Sequence, residues 1–190
     1  TIKDDLKYYN ALIDTKKCVD CGLCTKVCPR ENDNDMSKPK WWYQGWADSE
    51  IREHASSGGA ASAIIRAFIK HGGYVASCLF DSGKFVFEVT NEMAVARKFA
   101  GSKYVKSNPE KIYGKIQSLV KANQKVLFIG LPCQVAAVNQ FIKDKTNLVT
   151  ADLICHGTPS PYLLKKCLQE YGHDLSLIHI SEPTRLGMIS

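Results

Sequence analysis

The chain has 190 residues, 45% hydrophobic and 23% charged, with a formal net charge of +6. That balance supports an ordinary globular core and excludes disordered and collagen-like classes. No apolar stretch approaches the roughly 18 residues of a membrane span, and the lysines are scattered rather than gathered in one block, so neither a membrane span nor a nucleic-acid partner is expected.

Leu6 to Leu12 reads as a short extended piece leading into Cys18, Cys21, Cys24 and Cys28, which Pro29 follows. Half of the eight cysteines thus fall within eleven residues, which is metal-ligand crowding rather than a disulfide framework and points to a reducing cytoplasm. The run itself reads as a loop followed by a turn of helix. Glu31 to Lys40 is polar without apolar period, hence a linker. The aromatic group Trp41, Trp42, Tyr43 and Trp46 then reads as packing between two units, with stacking on a cofactor as the alternative.

From Ser56 the pattern is helical, with Ser56 or Ser57 as cap, Ala61, Ile64, Ile65 and Phe68 on one face, and Gly72-Gly73 as the stop. Tyr74 to Phe80 is a strand, Asp81-Ser82-Gly83 a turn, and Phe85, Phe87 and Val89 alternate on a second strand, which makes a hairpin. Asn108 and Pro109 open a helix carrying Ile112, Ile116, Leu119 and Val120 on one face. A β-α-β-α run follows: strand 126–129, helix 134–142, strand 148–154 and helix 161–171. The fold class is therefore α/β, α+β overall, with a small ferredoxin-like 4Fe-4S segment before an α/β domain. Parallel strands joined by a crossover helix end at one sheet edge, so the loops at Gly130 to Cys133 and Cys155 to Thr158 should share the rim where ligands bind.

A C-x2-C-x2-C loop supplies three thiolates that wrap a cubane cluster from one side, and Gly22 relaxes the loop where a side chain would crowd it. Pro29 after Cys28 completes the bacterial pattern, in which the fourth cysteine serves the other cluster of a pair. On that pattern Cys18, Cys21 and Cys24 hold one 4Fe-4S cluster, Cys28 serves a neighbour, and a second run lies upstream of Thr1. Lys16, Lys17, Lys26 and Arg30 would offset the cluster's negative charge. Zinc more often joins two separated C-x2-C pairs.

At the rim, Cys133 and Cys155 follow strands, and His156 can titrate near neutrality. Cys78, in a strand, and Cys167, on a helix, are core candidates. Ser56-Ser57-Gly58-Gly59 opens a helix whose free amides favour an anion such as a flavin pyrophosphate. Gly101-Ser102-Lys103-Tyr104 offers hydroxyl, ammonium and phenol groups in a glycine-started loop.

Together CVDCGLCTKVCP (Cys18 to Pro29), SSGG (Ser56 to Gly59), GSKYVKS (Gly101 to Ser107), VLFIGLPCQ (Val126 to Gln134) and DLICHGTPSP (Asp152 to Pro161) resemble the coenzyme F-420 (deazaflavin) hydrogenase and dehydrogenase beta subunits. The resemblance covers Cys18 to about Tyr171 and implies an iron-sulfur flavoprotein, an oxidoreductase of the kind found in anaerobes. In it a 4Fe-4S cluster exchanges electrons with FAD, and the flavin exchanges hydride with a deazaflavin or another acceptor. It implies Ser57, Gly58, Gly59, Ser102, Lys103, Tyr104, Cys133, Gln134, Cys155 and His156 at the flavin pocket, and a redox partner protein or a small-molecule acceptor. Leu131 departs from the family pattern, which has a smaller polar residue there. The expected organisation is a ferredoxin-like segment at 1–34, a linker at 35–50 and a flavin domain at 51–174. The tail at 175–190, LSLIHISEPTR onward, looks like a translated sequencing adapter. The alternatives are an electron-carrier or docking protein without flavin catalysis, and a zinc-stabilised, non-redox protein.

Overall fold

The computed structural model describes residues 2–3, 8–29, 31, 39–109 and 111–171. Residues 32–38 of the polar stretch Glu31 to Lys40, which include the start of the linker expected at 35–50, and the tail at 175–190 lie outside the described residues.

At the amino end, β1 (Ile2–Lys3) and β2 (Tyr9–Asn10) pair antiparallel. The cysteine run forms a loop and then the single turn α1 (Leu23–Lys26), entered through Gly22 in the left-handed region at φ 66°. Residues 41–48 have no regular secondary structure, and Trp41, Trp42, Tyr43 and Trp46 are all exposed. The expectation that these rings pack between units is corrected: within the described chain nothing covers them. The short α2 (Ser49–Arg52) follows, with Arg66 reaching Glu50 at 3.1 Å.

Helix α3 (Ala60–Lys70) starts two or three residues later than a cap at Ser57 or Ser56 predicts. Its cap is Gly59, at φ 77°, where a Cβ would stand 3.1 Å from that of Ala47. Ser56 and Ser57 therefore precede the helix rather than cap it. Gly72, again left-handed at φ 77°, ends the helix and turns the chain into β3 (Tyr74–Asp81). Ser82 and Gly83, both with positive φ, make the two-residue turn into β4 (Lys84–Thr90), the geometry that a twisted hairpin requires. Then come α4 (Met93–Ala96), a 3-10 turn (Arg97–Phe99), α5 (Ile112–Lys121), β5 (Val126–Gly130), α6 (Pro132–Phe141), β6 (Leu148–Asp152) and α7 (Pro161–Glu170).

The main sheet has the order β4-β3-β5-β6, with β3, β5 and β6 parallel and β4 antiparallel at one edge. Period-two alternation divides its side chains between two apolar layers. Ala76, Phe87, Val126 and Phe128 meet Ile112, Ile116 and Val120 of α5 and Val138 of α6. Val75, Leu79, Leu127 and Ile129 meet Ile65 of α3 together with Ala96 and Phe99. Every residue of β5 is buried, as expected for a parallel strand covered on both faces. The arrangement is a three-layer α/β/α stack, and it bears out the mixed α/β class. Helix α7 buries none of its residues, so Cys167 is exposed and the expectation that it belongs to the core is corrected. Cys78 is half-buried on β3.

Candidate cofactor site at the carboxyl edge of the sheet

The loops that carry the sequence motifs meet along one edge. Leu153 donates its backbone N–H to the Gly130 carbonyl at 2.9 Å, so the chain leaving β6 stays beside the chain leaving β5. Segment 101–108 links this rim to the glycine-rich loop before α3. At one end the Ser102 N–H donates to Ser56 Oγ at 2.6 Å, and Ala47 N–H donates to the Gly58 carbonyl at 2.7 Å alongside. At the other end the Lys106 N–H donates to the Pro159 carbonyl at 2.8 Å, and the Lys106 ammonium lies 3.5 Å from Cys133 Sγ.

Burial alternates along segment 101–108. Val105 and Ser107 are buried, whereas Ser102 and Tyr104 are exposed. Lys103 falls on the inner row. Its ammonium donates to the carbonyls of Phe99, Ala100 and Gly101 at 2.7, 2.7 and 2.8 Å, which are the free acceptors left where the 3-10 turn ends. Burial lowers the Lys103 pKa to about 8, opposed in part by its attraction to Cys78. Lys103, expected at the pocket, here spends its donors on the protein's own backbone.

Gln134 is also turned inward, at 4% exposure. Its Oε1 accepts from the Leu131 N–H at 2.9 Å, closing the first turn of α6, and its Nε2 donates to Ser107 Oγ at 3.2 Å. Gln134 therefore locks the two loops together instead of lining a cavity. Burial raises the Cys78 thiol, with the Ser107 hydroxyl acting against that shift. Burial also pushes the Tyr113 phenol up, and its hydroxyl donates to the Gln134 carbonyl at 3.3 Å.

Outward groups remain on the same edge. Cys133 is exposed at the start of α6, Cys155 is exposed with its sulfur accepting from the Gly157 N–H at 3.3 Å, and His156 is exposed beside it. Ser57 is exposed, Gly58 is held against the Gly45 carbonyl and Trp46, and no side chain caps α3. Lys106 is the functional candidate that sequence reasoning passed over. Within GSKYVKS, the two-residue period together with buried Val105 selects Lys106, not Lys103, for the outer row.

The cysteine run presents a matching donor set of its own. Cys18, Cys21 and Cys24 are exposed on one loop and Cys28 is half-buried behind them. Among the described residues, no three Cys, His, Asp or Glu side chains are arranged to hold a single metal ion. A cubane asks for less convergence, since its thiolates bind separate iron atoms around a body several ångströms across. All-sulfur donors on a glycine-relaxed loop fit that group in kind. The run is also tied to the rim: the Tyr8 hydroxyl donates to the Thr158 carbonyl at 2.9 Å.

Comparison with known proteins agrees with this division. Residues 9–30 match the 4Fe-4S binding domain, and residues 123–183 match the C terminus of the coenzyme F-420 hydrogenase/dehydrogenase beta subunit. An uncharacterized protein of Methanocaldococcus jannaschii is 27% identical over 141 residues, which is 69% of this chain and 39% of that protein. A chain of the F-420-reducing nickel-iron hydrogenase complex from Methanosarcina barkeri superposes with a TM-score of 0.58 at 20% identity, covering 70% of this chain and 50% of that one. The chain thus spans between two fifths and half of the length of these relatives. The chain carries a match to the 4Fe-4S binding domain ahead of a mixed α/β sheet. Over residues 123–183 the chain is similar to the C terminus of the coenzyme F-420 hydrogenase/dehydrogenase beta subunits. Among the described residues no helix is long and apolar enough to cross a membrane.

Proposed function

We propose that the chain is part of an iron-sulfur flavoprotein oxidoreductase that passes electrons between a 4Fe-4S cluster and FAD, with hydride exchange to a deazaflavin or another acceptor. The observation that supports this reading is segment 101–108, which is tied at Ser102 to the loop before α3 and at Lys106 to Cys133, so that one stretch of chain joins the two regions that a dinucleotide's pyrophosphate and ring would meet. Cys18, Cys21 and Cys24 would hold the cluster, and Cys28 would serve a second one. When bound, FAD supplies the step between one-electron and two-electron chemistry.

The chain's own residues bind and orient. Ser57, Gly58, Gly59 and Ser102 would meet the pyrophosphate with hydroxyls and helix-end amides. Lys106 would add the positive charge that Lys103 does not offer. Cys133, Cys155 and His156 would lie along the ring end, and Tyr104 is exposed between the two regions. A redox partner protein or a small-molecule acceptor would meet the same rim.

The inward turn of Lys103 and Gln134 favours one competing reading, a carrier or docking protein without flavin catalysis. Anaerobic reconstitution with iron, sulfide and FAD separates the two. Flavin absorbance that survives gel filtration, with FAD released on denaturation, supports the proposal. Iron and labile sulfide without flavin would overturn it in favour of the carrier.

A further inference from the structure

The opposite edge of the sheet has a different character. There β3, β5 and β6 begin and β4 ends, and their loops are joined by backbone bonds: Tyr74 N–H to the Lys125 carbonyl and Val126 N–H to the Asn147 carbonyl, both at 2.8 Å. Asn147 Nδ2 also donates to Asn123 Oδ1 at 2.7 Å. Lysines that are dispersed in the sequence therefore lie in the loops and helix ends of this edge. Lys70, Lys121, Lys125, Lys143 and Lys145 are all exposed on it, with His71 beside them. Two exposed carboxylates, Glu92 and Asp144, stand against them. Asp144 is engaged in its own turn, accepting from the Thr146 N–H at 3.0 Å. None of these lysines joins an ion pair found among the described residues.

An apolar groove of about 370 Å3 opens at the same edge, lined by Ile64, Ala67, Phe68, His71, Gly73 and Lys125. Ile64 is 47% exposed, although it lies on a helix whose opposite face packs the core. Gly73 is needed there, since a Cβ would collide with the Phe68 ring at 2.3 Å. The chain thus keeps a hollow between Phe68 and the lysines.

We infer that this amino edge docks an acidic segment of a partner protein, with one apolar side chain of that segment seated between Ile64 and Phe68. Lysines around an apolar hollow complement carboxylates around an apolar anchor, the arrangement that gives protein interfaces their orientation and encounter rate. Duplex nucleic acid has no apolar side chain to seat in a hollow lined by Ile64, Ala67 and Phe68. A membrane takes protruding apolar residues rather than a cleft. Five-residue strands place this edge about 17 Å from the carboxyl rim. The docked partner therefore holds the subunit in an assembly while the cofactor edge stays open. The inference stands on this edge alone and does not depend on flavin binding.

The test uses the full chain and a fluorescein-labelled oligoglutamate peptide with one central leucine. Glutamate-only peptide, duplex DNA and phosphatidylserine vesicles form the other arms. The leucine peptide should bind most tightly, with affinity falling as salt rises. The reversal Lys70→Glu/Lys125→Glu/Lys145→Glu should weaken it by about tenfold or more. Ala67→Asp should remove the advantage of leucine over glutamate alone. The charge-matched control Lys84→Glu/Lys165→Glu/Lys166→Glu should bind like the parent, and the three single reversals replace the triple variant should it fail to fold. The inference is overturned when the leucine peptide does not bind, when the two peptides bind alike, when DNA or vesicles bind more tightly, or when the control loses as much as the reversal.

Discussion

The Lys106 ammonium lies 3.5 Å from the Cys133 thiol, joining the loop at 101–108 to the first turn of α6 at the rim of the sheet. Two lysines three residues apart thus have separate duties, with Lys106 facing the rim and Lys103 wrapped by carbonyls. The expected outcome of Lys106→Met is a loss of FAD affinity of about tenfold, the scale of one charge-assisted hydrogen bond. Lys103→Met should leave that affinity within about twofold while lowering stability. Flavin fluorescence titration of the reconstituted proteins, paired with thermal melts, reads both. Equal losses of affinity in the two variants would remove the distinction.

Lys103 also sets a pH dependence. Its folded pKa of about 8 lies below the ordinary value of 10.5, so between those values the unfolded chain holds a proton that the folded chain has released. Stability from this group therefore rises as pH climbs through about 8 to 10.5. Cys78 and Tyr113, both raised by burial, act in the opposite sense at alkaline pH. The Tyr113 contribution cancels when wild type is compared with Lys103→Met, and that of Cys78, which is coupled to Lys103, is removed by making the comparison in a Cys78→Ala background. The difference in unfolding free energy between the two proteins should shift in favour of wild type across that window, by up to about 3 kcal/mol. Urea melts at a series of pH values measure it, and a flat difference would show that the carbonyl shell fully offsets burial.

Gly130 ends β5 where a Cβ would stand 2.8 Å from the Phe128 ring and 3.1 Å from Gln134 Oε1. Phe128 cannot yield easily, since it stacks on Phe87 and meets Tyr113 edge-on. Gly130→Ala should cost about 1–3 kcal/mol, and it should loosen the bond from Gln134 to the Leu131 amide. Chemical denaturation gives the first effect and amide exchange at Leu131 the second.

Removing Cys18, Cys21 or Cys24 should abolish iron and labile sulfide after reconstitution. Cys28→Ala should retain most of both, as a ligand serving a neighbouring cluster would. Iron and sulfide analysis of the four single variants decides the assignment. A site that binds zinc and no sulfide would return the run to a structural role.

Much of the framework was legible before the structure. Val126 to Ile129 is a short apolar run between turn residues, and Ser82-Gly83 is hairpin chemistry, so both locate strands by local sequence alone. The start of α3 was not legible, because the seryl pair looks like a cap until Gly59 is seen packed on Ala47. The orientation of Lys103 was equally hidden. It depends on where the 3-10 turn leaves its carbonyls, and no periodicity announces that turn. The lysines of the amino edge lie between positions 70 and 145, and only the pairing of three strand starts brings them together.

The bond from the Tyr8 hydroxyl to the Thr158 carbonyl joins residues 150 positions apart. It works as a strut between the arm that carries the cysteines and the loop that follows β6. Electron tunnelling falls off steeply with separation, so under the proposed function a strut of this kind would fix a rate by fixing a length. With a phenylalanine in its place the arm could pivot, and one rate would broaden into a distribution while both halves of the molecule kept their folds.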